Sequence, residues 1–594
     1  MPAINIINTD DFAEMRLGNG YYVDKTGFIE EFLQNPADGP KFRVPADAIL
    51  FTRPRRFGKT LFMSMLAEFF DITKDSRELF EGLAVSSNKD LCDQWMNQYP
   101  VIFLSLKDVD KPTYKEALKK IRSLVSDVCL AHNYLLKSSM LDDEERKKLK
   151  ELRSEKADDN ILADALLILS RALRYHYDKP AIVLIDEYDA PIAKAADNGY
   201  YDEMVDFMRN FLSACLKSNR KNMKLGILTG CLQIAQRSIF SGLNHFKSYD
   251  ISDYEYMDVF GLTQDDVDTI LLKAGLWDRR EELKEWYDGY CFGEHQEMYC
   301  PWSILNRVYA LQKNPRVPPK AYWNKTSENT VIKRLFPGKY LEMADDIAKL
   351  ASGGVLVTQV NLEPTYDSLD SSAENLWSLL YLSGYLTTAS EEQTQKSGIS
   401  PNPNRDEMAL VIPNMEIHKI FEKEVQRWFD GAVSKKQTTA LLEAFWKTDT
   451  ERFKKEIEAI LLKNVSSKDL AKEPASSAKS SDESPRENFY HGLLVVYFLV
   501  AYPDTLSNME VGEVFYDIQV LDNNTGRAAI VEVKRCADEK EDLLGLAEKG
   551  LKQIEKNKYN VRLLSDPSVK TLIHWSIAFC KKSCEARAII VRQP

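Results

Sequence analysis

Two groups of residues, far apart in the chain, have the types and spacing to handle phosphates. The first is Thr52-Arg53-Pro54-Arg55-Arg56-Phe57-Gly58-Lys59-Thr60, entered from the apolar run Ala48-Ile49-Leu50-Phe51. A phosphate-binding loop needs inward backbone N–H groups, a helix N-terminus beneath them, a lysine for the β- and γ-phosphates and a hydroxyl for Mg2+. Gly58, Lys59 and Thr60 supply the last three between an expected strand ending near Thr52 and an expected helix from Lys59 towards Phe70. Arg53 stands where the usual pattern has its first glycine. Arginine resists the backbone shape a glycine permits, so a differently shaped loop is expected. Ala181-Ile182-Val183-Leu184-Ile185 then runs into Asp186-Glu187. At the end of a buried strand, Asp186 is expected to hold Mg2+ through water and Glu187 to polarise an attacking water. Thr229, closing a further apolar strand, is expected to sense the γ-phosphate. Arg237 is one candidate for neutralising charge in the transition state. The expected nucleotide contacts are Arg55, Arg56, Phe57, Gly58, Lys59, Thr60, Leu61, Asp186 and Thr229, with Thr60 and Asp186 on the metal.

The second group lies between Glu513 and Lys534. Two runs of strand type flank Asp522-Asn523-Asn524-Thr525-Gly526, whose composition is that of a turn, so a hairpin is expected. Folding about Asn524 sets Asp517 opposite Val531 or Glu532. The period of two puts Glu532 and Lys534 on one face, with Val531 and Val533 on the other. Two carboxylates and an ammonium then converge. Hard oxygen donors suit Mg2+ or Mn2+, which polarises a phosphodiester and acidifies its bound water, while the lysine orients the nucleophile. Glu487, opening an expected helix, adds a third acid, and Gln553 on a later helix is expected to contact the substrate backbone. An edge hairpin with solvated charges is the ordinary alternative for Asp517, Glu532 and Lys534.

Several elements must carry these groups. The chain has 594 residues, too many for one core. Strands alternating with helices up to about residue 260 argue for a parallel sheet covered on both faces. From 261 to 463 the pattern turns helical and aromatic. Residues 464–486 are rich in Ser, Ala and Lys and read as a linker. From 487 to 594 a small α/β module is expected. The net charge is −12, with 78 basic and 90 acidic residues, so any nucleic-acid surface must be a local patch. Nine scattered cysteines point to free thiols in a reducing, cytoplasmic setting. No apolar run is long enough for a membrane span.

The set of motifs resembles a bacterial family that joins an AAA-ATPase-like domain to a PD-(D/E)XK nuclease superfamily domain. The matching stretches include Tyr22-Val23-Asp24-Lys25-Thr26, the loop from Arg53 to Leu61, Leu184 to Asp189, Trp286-Tyr287-Asp288-Gly289-Tyr290, Pro301-Trp302-Ser303-Ile304-Leu305, Ile412-Pro413-Asn414, Glu487 to His491, and Gln553-Ile554. The resemblance implies an α/β fold: a P-loop NTPase sheet of the AAA/STAND type, a helical middle region and a restriction-endonuclease-like C-terminal domain. It implies ATP and Mg2+ as cofactors, with Mg2+ or Mn2+ at the second site, and nucleic acid, expected to be DNA, as partner. A homo-oligomer is compatible with it. Lys59, Thr60, Asp186 and Glu187 take the ATPase roles; Glu487, Asp517, Glu532 and Lys534 take the nuclease roles. Members usually show Gly-x-Gly-Arg before the aspartate, where this chain has Gly512-Glu513-Val514-Phe515. Two functional readings stand: an ATP-controlled nuclease, and a nucleotide-switched binding protein whose nuclease-like module does not cut.

Overall fold

A computed structural model describes residues 4–33, 46–217, 219–232, 240, 245–323, 343–351, 353–364, 372–398, 400–432, 435–464, 487–502, 505–511, 514–536, 541–556 and 561–592. Arg237, Gly512, Glu513 and nearly all of the 464–486 segment lie outside the described residues, as does the Glu487 side chain.

Strands β1 (Ala48–Thr52), β2 (Val101–Ser105), β3 (Ala181–Asp186), β4 (Met223–Gly230) and β5 (Phe246–Tyr249) form one parallel sheet in the order β2-β3-β4-β1-β5. β1 and β3 are buried at every position. That is why both read as continuous apolar runs: helices cover both faces of a parallel sheet, leaving no solvated side to alternate with. The register sets Thr52 beside Gly230 and Ser105 beside Asp186. β4 lies between the loop strand and the acidic strand, which brings Thr229 beside Asp186.

The middle region is less purely helical than its sequence pattern suggests. It contains a hairpin of β6 (Tyr290–Phe292) and β7 (His295–Met298), and a small antiparallel sheet of β8 (Leu356–Gln359), β9 (Thr387–Thr388) and β10 (Glu407–Val411) in the order β8-β10-β9. These strands are two to five residues long. A period of two cannot establish itself over so few positions. A separate apolar core, including Val267, Ile270, Leu283, Ile304 and Val308, holds the helices Gln264–Ala274, Arg280–Tyr287 and Pro301–Lys313 together.

The C-terminal sheet runs β11 (Leu506–Val511), β12 (Val514–Asp522), β13 (Arg527–Arg535), β14 (Thr571–Cys580), β15 (Ser583–Arg592), antiparallel except for the parallel β13–β14 pair. One face packs on helices on the N-terminal side of this module: the Phe445 ring stacks on Trp575 at 5.1 Å and Phe453 meets it at 5.0 Å. The helix Leu543–Lys556 covers the other, with Leu551 and Ile554 against Ala528 and Ile530. Cys536 and Cys580 form a disulfide across the ends of β13 and β14. This corrects the expectation of free thiols throughout. The two residues are 44 positions apart and meet only because the strands are neighbours. Among the described residues no helix is long and apolar enough to cross a membrane.

Candidate functional site

The first site grows from the end of β1. Two residues of the loop, Arg56 (φ 72°) and Gly58 (φ 88°), adopt the left-handed region. Arg53 does not, so the position of the missing glycine needs no glycine here. The Arg53 side chain is fully buried and turned away from the loop mouth. Its Nη1 donates to the carbonyls of Thr52 (2.9 Å) and Tyr249 (3.0 Å), and Nη2 to that of Tyr256 (3.1 Å). It fastens β1 to the segment after β5. At Gly58 a Cβ would meet nothing within 4 Å, which leaves the loop's inner face open to a bulky anion.

Gly58 caps the helix Lys59–Phe70, whose first N–H groups therefore face the loop. Lys59 Nζ donates to the carbonyls of Arg53 and Pro54, both at 3.0 Å, and approaches Cys231 Sγ at 3.5 Å. Those carbonyl oxygens take the acceptor role that phosphate oxygens would fill. Asp186 is fully buried and held by three hydroxyl donors: Thr60 at 2.9 Å, Ser105 at 3.2 Å and Thr229 at 2.7 Å. A hydroxyl and a carboxylate side by side fit a Mg2+ ion, which takes oxygen ligands and keeps its waters. Glu187 sits at φ 52°, a costly backbone for a non-glycine residue and one often kept at functional positions. Burial pushes its carboxyl above the ordinary range, against the pull of Lys59. Phe57 points away from the loop into the ring pair Tyr290 (5.0 Å) and Phe292 (5.1 Å).

A cavity of about 1060 Å³ opens over the loop. Arg55, Arg56, Lys59, Thr60, Leu61 and Glu187 line one side. Facing them are the middle-region residues Trp302, Leu305 and Tyr309, and the N-terminal segment Ile6–Asp10. Pro301-Trp302-Ser303-Ile304-Leu305 is one of the stretches that carry the family resemblance, but nothing local sets it or Ile6–Asp10 opposite the loop, because these segments have no local tie to it. Ser105 was likewise invisible, being a lone hydroxyl at a strand end.

The second site is a split in the C-terminal sheet. β12 and β13 pair from Asp522–Arg527 as far as Ile518–Val531 and then part. The Val533 N–H, released from the ladder, donates instead to Asp517 Oδ2 at 2.6 Å. Asp517 thus stands opposite Glu532, one of the two registers expected from the turn. Glu532 is buried, and its Oε1 accepts from Lys534 Nζ at 2.8 Å. Glu487 opens the helix Glu487–Ala501, and His491, one turn on, meets the Asp517 carbonyl through Nε2 at 3.0 Å. Gln553 lies one turn beyond Gly550 on the covering helix. A Cβ at Gly550 would stand 2.1 Å from Ser576 Oγ and 3.4 Å from Glu532 Cγ, so this helix is seated directly on the site. Asp517 and Glu532 fit a divalent cation as hard, acidic oxygen donors. Among the described residues no three acidic, imidazole or thiol groups converge.

The fold and both sites define a class: a P-loop NTPase-like sheet joined, through a middle region, to a restriction-endonuclease-like module. The comparisons match a domain family to each end. Residues 6–240 match the family model described as predicted AAA-ATPase, and residues 485–588 match the PD-(D/E)XK nuclease superfamily. The chain therefore carries an AAA-ATPase-like domain followed by a PD-(D/E)XK nuclease superfamily domain. A relative from Azotobacter chroococcum mcd 1, "Uncharacterized protein in vnfD 5'region", is 27% identical over 416 residues, covering 69% of this chain and 67% of its own. No solved structure matches the chain significantly.

Proposed function

We propose that the protein binds and hydrolyses ATP, and that its nucleotide state controls a metal-dependent nuclease module acting on nucleic acid. The observation that supports coupling is an unbroken series of contacts between the two sites. Trp323 Nε1 donates to the Arg55 carbonyl at 3.2 Å, and the Trp323 backbone N–H donates to Glu416 Oε1 at 3.0 Å. Glu416 begins the helix Met415–Ala432, which packs on Glu487–Ala501. His491 of that helix meets the Asp517 carbonyl. The loop itself is gripped on its outer side: Cys300 Sγ lies 3.5 Å from the Arg56 carbonyl, the Arg56 guanidinium rests 4.4 Å over Trp302, and a Cβ on Gly384 would stand 2.8 Å from Pro54. A loop that reshapes around phosphates must move these partners.

In this reading Lys59 leaves the Arg53 and Pro54 carbonyls for the phosphate oxygens, and Thr60 with Asp186 would hold Mg2+. Glu187 accepts a proton from the attacking water, and Thr229 reports the γ-phosphate through Asp186. At the split sheet, Asp517, Glu532 and Glu487 would hold Mg2+ or Mn2+, which polarises the scissile phosphate and acidifies a water. Lys534 orients that water, and Gln553 steadies the substrate backbone. The work divides as the sequence suggests: 1–260 for the nucleotide, 261–463 for transmission, 464–486 as linker and 487–594 for cleavage. DNA, a cytoplasmic setting and a homo-oligomer belong to the same proposal.

The test uses the full chain on plasmid, linear and single-stranded DNA with Mg2+ or Mn2+, with and without ATP. Asp517→Asn and Glu532→Gln should each lower cleavage on the order of 100-fold or more. Lys59→Ala should weaken ATP binding about 10- to 100-fold and remove the effect of ATP on cleavage. Cleavage untouched by Asp517→Asn sinks the nuclease assignment. The departure at Gly512-Glu513-Val514-Phe515 favours a second reading, a nucleotide-switched binder; retained DNA binding with no turnover under any nucleotide condition would establish it.

A further inference from the structure

The helix Leu543–Lys556 is seated on the split sheet by Gly550, and its charges are sorted around its axis. At about 100° per residue, Gln553, Lys549, Lys556 and Lys552 follow one another around one flank, beginning roughly 60° from Gly550. Glu548 and Glu555 fall on the other flank, beyond Leu551. Lys549, Lys552 and Lys556 are all exposed, and none of the three makes an ion pair among the described residues. Glu548 stands four positions before Lys552, the spacing at which helical partners usually meet, yet the two are unpaired. In a chain of net charge −12, three unneutralised lysines on one flank are a local exception.

We propose that this flank is the track for a nucleic-acid strand, with Lys549, Lys552 and Lys556 contacting successive phosphodiesters that Gln553 leads towards Asp517 and Glu532. The inference rests on the nuclease reading of that site and extends it to the surface that presents the substrate. Three features argue for a phosphate backbone over an acidic protein. The ammonium groups are point charges on flexible stems, which suit repeated anions of loose geometry. They span about 10 Å along the helix axis, the reach of two or three nucleotides. The one uncharged member of the flank, Gln553, stands nearest the seated face and can donate and accept without repelling the metal site.

Binding is measured by fluorescence anisotropy with the full chain carrying Asp517→Asn, so that Mg2+ can be present without cleavage. The probes are a 30-base-pair DNA duplex, a DNA single strand and an RNA single strand of the same length. The triple variant Lys549→Ala, Lys552→Ala, Lys556→Ala should flatten the log affinity against log salt slope by about 2.7 on the duplex and about 2 on a single strand. The probe whose slope falls by its full expected amount identifies the strand the track carries. A control triple, Lys147→Ala, Lys148→Ala, Lys150→Ala, changes net charge equally on the distant helix Asp143–Arg153 and should leave the slope unaltered. The three lysines are exposed, so circular dichroism melting should match the parent. An unchanged slope in a folded triple variant overturns the track but leaves the nuclease reading intact. Equal flattening by the control triple overturns it too, by reducing it to net charge. If the parent binds none of the probes, the nuclease reading falls with it.

Discussion

At the scale of single residues, burial decides what a side chain can do. Arg53 looked like a loop residue by position, yet it is buried and spends its donors on three backbone carbonyls. Its place at the usual first-glycine position sets it apart from Arg55 and Arg56, but nothing in the sequence says where its side chain goes. Lys59 and Thr60, in contrast, are legible because a strand, a turn and a helix N-terminus fix their geometry locally; Asp186 is legible as the end of a buried strand, but only the sheet brings it to Thr60. His574 shows burial acting on a titration. It is 2% exposed on β14, its Nε2 has no hydrogen-bond partner among the described residues, and burial lowers its pKa to about 4 from the ordinary 6.5. Above pH 6.5 the ring is neutral folded or unfolded, so stability is complete there. Between 6.5 and about 4 the unfolded chain binds a proton that the folded one refuses, and stability falls with pH, by up to about 3 kcal/mol. Urea denaturation from pH 7.5 to 4.5 should show this loss in the unfolding of the C-terminal module. His574→Leu should flatten that pH dependence; an unaltered slope would show that other groups carry it.

At the scale of elements, the hairpin carrying Asp517 and Glu532 is readable because its turn is made of turn residues between two runs of strand type. The parting of β12 from β13 was not, since it depends on what Asp517 does with the Val533 N–H. The short strands of the middle region were also missed: two to five residues carry too little pattern to outweigh the helices around them. The seating of the covering helix turns on Gly550, whose missing Cβ makes room for Ser576 and Glu532. A methyl group there meets Ser576 Oγ at 2.1 Å, which must turn aside, and Ser576 Cβ at 3.1 Å, which moves only with the strand. Gly550→Ala should therefore cost about 1–3 kcal/mol of stability or lift the helix from the sheet. Chemical denaturation reads the first outcome, and lowered cleavage with an unchanged ATPase rate reads the second. A variant equal to the parent in both would mean the helix does not sit as described.

At the scale of the whole molecule, the phosphate loop is not a free-standing motif. Residues from Pro54 to Phe57 each touch the middle region, and through Trp323 and Glu416 that grip reaches the helix that Glu487 opens. A direct trial of this route is Trp323→Phe. It keeps a ring against Tyr385, 4.8 Å away, but removes the donor to the Arg55 carbonyl. Folding should weaken by only about 1 kcal/mol and ATP affinity should stay within a few fold. The change in cleavage rate between ATP-bound and nucleotide-free protein should shrink. If that change persists in full, the signal travels by another path, and the contacts through Trp323 are structural only.

The sequence by itself marked the two candidate sites, because the core of each is assembled from neighbours: a strand running into a loop and a helix, and a hairpin folded about its own turn. It also determined the order of the two α/β parts, since apolar runs and helical stretches announce themselves over short windows. Only the tertiary structure decided which wall faces the phosphate loop, which helix sits on the split sheet, and which two cysteines join. Those outcomes depend on side chains that come from separate segments and meet at a packed surface, where complementarity of shape and not local pattern selects the partner.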